Sequence, residues 1–143
     1  MQATELTPIL QAAVGPVILI SGVGLLLLSM TNRFGRVADR SRQLGEALRN
    51  APPAERERPG SQLKILIRRA RLLRLAITFA TLSVLLAAVL VIALFLMAFL
   101  QVDAVLLGAI LFIACLLSLI VSLVAFLQDI NISMSALKLE LAP

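Results

Sequence analysis

Few residues in this 143-residue chain have side chains suited to chemistry. Histidine, tryptophan and tyrosine are absent, and Cys115 is the one cysteine. Without histidine the chain lacks the commonest general base and the commonest metal ligand. No paired catalytic carboxylates, nucleophile–base pair or glycine-rich phosphate loop stands in their place. The sequence therefore points away from an enzyme and calls for no cofactor and no metal. Cys115 has no partner for an internal disulfide, and a lone thiol in an apolar run is most often a packing residue.

Three sets of residues remain as candidates. Gln11, Gly15, Ile18, Gly22, Leu25, Ser29 and Asn32 alternate at spacings of four and three, and Arg36 continues the row. On a helix they share one face. The small residues at 15, 22 and 29 suit close helix packing, within one copy or between copies. The same stripe also suits a pore wall, with rings of Ile18 and Leu25 gating by dewetting. The second set is a basic collar: Arg33, Arg36, Arg40, Arg68, Arg71 and Arg74. Such residues snorkel to anionic lipid head groups, or they line a mouth that favours anions. The third set is two acids. Asp39 lies three residues from both Arg36 and Arg42, within helical pairing distance. Asp129 is the acid nearest in depth to the second basic run, and Arg71 or Arg74 is its expected partner.

The elements that must carry these residues are set by hydropathy. Hydrophobic residues make up 60% of the chain, with a mean hydropathy of +1.01, against roughly 45–50% in soluble domains. The excess lies in three uncharged runs, residues 8–30, 75–100 and 104–127. About 20 helical residues cross a hydrocarbon core of about 30 Å, so each run is long enough. A chain this small could not hide three such helices in water. The first run is too long for a signal peptide, no basic residue precedes it, and no small-residue cleavage site follows.

Twelve of the thirteen Lys and Arg residues lie between Arg33 and Arg74. The positive-inside rule puts this stretch in the cytoplasm, with the N-terminus and the short turn near Asp103 outside and the C-terminus inside. The net charge of +5 is thereby a matter of topology and anionic lipid, with no nucleic-acid motif beside it. Thr7 and Pro8 suit a helix start. Phe34, Val37, Ser41, Leu44 and Leu48 continue the first helix past the membrane, although Gly35 weakens it by roughly 1 kcal/mol relative to alanine. Residues 51–60 read as a solvated turn, with Ser61 capping the second helix and Leu63, Ile67, Ala70, Leu73 and Ile77 as its apolar stripe. Asp103 suits a cap on the third helix. Beyond Gln128 the residues Ile130, Met134, Leu137 and Leu141 fit a helix, while Ile130, Ile132 and Met134 also fit a strand.

The stretch from Gly15-Pro16-Val17 to Leu26, the run Thr31-Asn32-Arg33-Phe34-Gly35-Arg36-Val37-Ala38-Asp39-Arg40-Ser41-Arg42, and Arg68-Arg69-Ala70-Arg71-Leu72-Leu73 resemble the bacterial domain-of-unknown-function family 2721. The resemblance covers roughly residues 8–130 and implies a three-span inner-membrane protein; it implies no activity. The expected fold is an all-α membrane protein, one domain over residues 1–143. Its helices 1 and 2 extend into a cytoplasmic antiparallel hairpin (31–74), followed by a cytoplasmic tail (128–143). The expected function is a homo-oligomer, read as an ion channel or pore with helix 1 along its axis. The other reading is a structural or accessory protein that binds a partner or anionic lipid through the basic hairpin.

Overall fold

The computed structural model describes residues 3–141, the side chains at 139 and 140 excepted. The described residues form three long helices: α1 (Ala3–Asn50), α2 (Glu57–Leu100) and α3 (Val105–Leu141). All three are long and apolar enough to cross a membrane. Large apolar side chains line their outer surfaces, among them Leu25, Ile92, Leu106 and Ile113. In water such a surface would associate without limit; in lipid it is ordinary. The strand alternative near Ile132 is overturned, since α3 runs helical through it.

The helix ends differ from those expected. Pro8 does not open α1, which begins at Ala3; Thr7 turns its hydroxyl back onto the Ala3 carbonyl (3.3 Å). Proline is tolerated there because it strips a hydrogen bond only from the exposed first turns. Likewise Ser61 lies inside α2 and bonds the Glu57 carbonyl at 3.1 Å. Pro59 falls in the first turn of α2, where amides have no intrahelical partner in any case. Between α1 and α2, Pro53–Glu55 forms one 3₁₀ turn, and Arg56 Nε donates to the Ala51 carbonyl (3.0 Å). At the other junction α2 closes with Val102 N–H on the Met97 carbonyl and Gln101 N–H on that of Ala98. This is a Schellman closure, and it holds Gln101 at φ 54°. Asp103 makes no capping bond; α3 opens one residue later, with Gly108 N–H on the Ala104 carbonyl at 3.2 Å.

The chain divides into two compact units. One comprises Met1–Leu28 and Thr78–Val121, the other Ser29–Ile77 and Ser122–Pro143. Each is built around residues spaced three and four apart. In the first unit the buried positions are Ala13, Pro16 and Val23 on α1, Ala80, Ser83, Ala87 and Leu90 on α2, and Cys115 and Ser118 on α3. Small side chains let helix backbones approach closely, which is the main source of helix association in lipid. The polar atoms here are consumed across the α2–α3 contact. Ser83 and Cys115 face each other reciprocally, the Ser83 hydroxyl on the Cys115 carbonyl (3.0 Å) and the Cys115 thiol on the Ser83 carbonyl (3.2 Å). Ser118 donates to the Phe79 carbonyl at 2.7 Å.

In the second unit the buried residues are Met30 and Val37 of α1, Leu73 and Ala76 of α2, and Ser122, Ala125 and Asp129 of α3. Ser122 donates to the Ala76 carbonyl at 2.6 Å and touches the Met30 sulfur. The face Phe34, Val37, Ser41, Leu44 and Leu48 is turned inward as its spacing predicts. The α2 stripe faces inward as expected except at Ile67, with Leu63 half-buried at its start. Leu73 is buried and Ala70 and Ile77 are half-buried, but Ile67 is exposed and Leu66, Arg69 and Ala76 take its side of the helix. Small and charged residues share this inward face with Leu66 and Leu73, and Ile67 can stay outside because lipid solvates isoleucine as well as protein does.

Candidate functional site: a buried ionic centre and a bare helix face

Asp129 occupies a buried α3 position one heptad after Ser122, where the pattern would otherwise place a small or apolar residue. Its side chain is fully buried. An isolated carboxylate there would cost several kcal/mol. Two guanidinium groups compensate: Arg33 Nε donates to Oδ2 at 2.6 Å and Arg69 Nε to Oδ1 at 3.1 Å. Arg33 lies three residues after buried Met30 on α1, and Arg69 four residues before buried Leu73 on α2, so helical geometry turns both toward α3. The Arg33 guanidinium also lies 5.9 Å from the centroid of the Phe126 ring, within cation–π range. One carboxylate thus ties all three helices of this unit together.

The partner expected for Asp129 was Arg71 or Arg74; the ion pairs are made instead by Arg69 and Arg33. Depth along the bilayer normal is a poor guide, because rotation about the helix axis decides which arginine of a run faces inward. Arg71 lies two residues from Arg69, about 200° around the helix, and is exposed. Asp39, expected to pair with Arg36 and Arg42, is exposed and makes no ion pair among the described residues. A solvated pair of this kind gains too little to hold two long side chains in place.

Within one chain the collar residues do not share one site. Arg33, Arg36 and Arg40 of α1, spaced three and four apart, gather with Arg69 of α2 and Ser133 of α3 around a cavity of about 340 Å³, floored by Val37 and Leu66. Arg68 opens onto a different cavity, beside Asn131 and Ser135. Arg71 and Arg74 are exposed on α2. Arg69 and Ser133 are the members of this cluster that the collar omitted. The signal for Arg69 was available: counting back by four from Leu73 along the small-residue face reaches it.

Every member of the α1 stripe is exposed: Gln11, Gly15, Ile18, Gly22 and Leu25 in the first unit, Ser29 and Asn32 in the second. Ile18 is 64% and Leu25 72% accessible. Nothing lies within 4 Å of where a side chain on Gly15 or Gly22 would begin. The chain packs its own helices through Ala13, Pro16 and Val23, so the stripe is not the intramolecular face. Gly15 also borders an apolar cleft of about 670 Å³ within the first unit, formed with Leu94, Met97, Gly108 and Phe112.

A family model described as protein of unknown function (DUF2721) matches residues 13–139. The chain belongs to this family. The match takes in the whole ionic centre, the arginine cavity and most of the stripe, and it agrees with the resemblance carried by the Thr31–Arg42 run. No curated protein and no solved structure matches the chain.

Proposed function

We propose that this chain is a non-enzymatic multi-pass protein of the bacterial inner membrane. It self-associates through the bare face of α1 into an oligomer whose axis conducts ions. The observation that carries the reading is the exposure of Gly15, Ile18, Gly22 and Leu25 while a different face of α1 serves the chain's own packing. Lipid offers leucine and isoleucine nothing that protein betters, but a groove over glycines admits a second helix to close van der Waals contact. Around an axis, the same residues would form alternating small and apolar rings, and the apolar ones suit a dewetting gate. The arginine-rich segment lies in the cytoplasm under the positive-inside rule, as a helical extension of α1 and α2, and the N-terminus lies outside.

The test has two parts. The mass of the purified protein in detergent is expected to be a multiple of 15.4 kDa, and planar bilayers are expected to carry unitary currents that Gly22→Leu abolishes. A monomer that passes no current at any voltage or tension would contradict the proposal. That outcome would favour the second reading, an accessory protein that docks a partner or anionic lipid. The clustering of four arginines around one cavity supports that reading.

A further inference from the structure

We propose that the cavity formed by Arg33, Arg36, Arg40, Arg69 and Ser133 is a binding site for a phosphate group. Four arginines from two helices line it, with a serine from the third helix. Asp129 offsets only one of the four charges. The way it does so also matters. It engages Nε of Arg33 and Nε of Arg69, and neither arginine makes another hydrogen bond among the described residues. The carboxylate therefore fixes the two forks while their terminal Nη groups stay available as donors. Arg36 and Arg40 have no ion pair or hydrogen bond among the described residues.

Four arginines around one cavity sum to a positive potential that a multivalent oxyanion offsets at several of them at once. Arginine's planar fork matches phosphate oxygens two at a time, and a serine hydroxyl supplies one further donor. A volume near 340 Å³ lies at the lower end for small-ligand pockets and suits a phosphate with a small substituent. The site begins three residues beyond the end of the uncharged run at Met30, near head-group depth. A phospholipid phosphomonoester and free inorganic phosphate share the required chemistry.

The full chain in non-ionic detergent is titrated with inorganic phosphate against chloride at matched ionic strength. In parallel it is placed in phosphatidylcholine nanodiscs with and without phosphatidic acid. Unfolding is followed by far-UV circular dichroism, since the chain has no Trp or Tyr. At least one phosphate source is expected to raise the unfolding midpoint above its control. The double variant Arg36→Gln/Arg40→Gln, which leaves both Asp129 pairs intact, is expected to weaken that response at least about tenfold in ligand concentration. Arg71→Gln, outside the cavity, is expected to leave it unchanged. A response to phosphatidic acid alone assigns the site to a lipid head group, and a response to inorganic phosphate alone to a soluble anion; both uphold it. No response to either source, or equal loss in Arg71→Gln, would overturn the proposal and leave only diffuse charge attraction.

Discussion

Replacing Asp129 with asparagine removes the charge that holds Arg33 and Arg69 and leaves a side chain of nearly the same shape. Two charge-assisted hydrogen bonds are weakened, each worth about 1.5–3 kcal/mol, and two guanidinium groups face each other without a counter-charge. Breaking a fully buried pair costs about 3–5 kcal/mol. Here the acid is fully buried, but the side chains of Arg33 and Arg69 keep 30% and 16% of their accessibility, so water recovers part of the loss. The expected destabilisation is about 3 kcal/mol, more than a hundredfold in the folding equilibrium. Reversible unfolding in mixed micelles, with sodium dodecyl sulfate as denaturant and helicity as the readout, measures it. Asp39→Asn is the matched control and should stay within about 0.5 kcal/mol of the parent. In a cycle with Arg69→Gln, the two losses should be strongly non-additive. Were Asp129→Asn as stable as the parent, or no worse than Asp39→Asn, the ionic tie would not hold the three helices and the reasoning would fail.

Three further outcomes follow from the packing. Gly22→Leu should not lower the unfolding midpoint of the isolated chain, because nothing lies near that position and leucine is the better helix former, while lowering the oligomer fraction seen by mass measurement in detergent. Ala80→Leu, at a fully buried α2 position, should overpack the helix contact and cost about 1–3 kcal/mol in the same micellar unfolding assay. Gln101→Gly, at the left-handed closure of α2, should stabilise by up to about 1 kcal/mol, since glycine meets no Cβ penalty there.

The three helices were legible because hydropathy and length are one-dimensional signals: residues 8–30, 75–100 and 104–127 need no tertiary information. Rotation about each helix was much less so. On α1 the eye falls on Gly15, Gly22 and Ser29, yet the chain packs through Ala13, Pro16 and Val23 and leaves the glycines bare. On α2 and α3 the inward faces are marked by small residues, Ala76, Ala80, Ser83 and Ala87 against Cys115, Ser118, Ser122 and Ala125. A search for the largest apolar side chains passes over them. The same rotation separates Arg69 from Arg71, which sequence position and charge treat alike. The basic collar was visible as composition, but its concentration into one four-arginine cavity depends on which faces of α1 and α2 turn toward α3. Asp39 and Asp129 are alike on paper, and burial alone distinguishes the exposed acid from the tie between helices.

The central claim is that copies of this chain meet through the glycine face of α1. Disulfide trapping in native membranes tests it most directly. With Cys115→Ser as background, a single cysteine is introduced at Gly22 or, as a control, at Leu117, which is exposed on α3. On mild oxidation the Gly22→Cys protein is expected to run as a cross-linked dimer and the Leu117→Cys protein as a monomer. Monomer in both, or equal cross-linking at the two positions, would contradict the account.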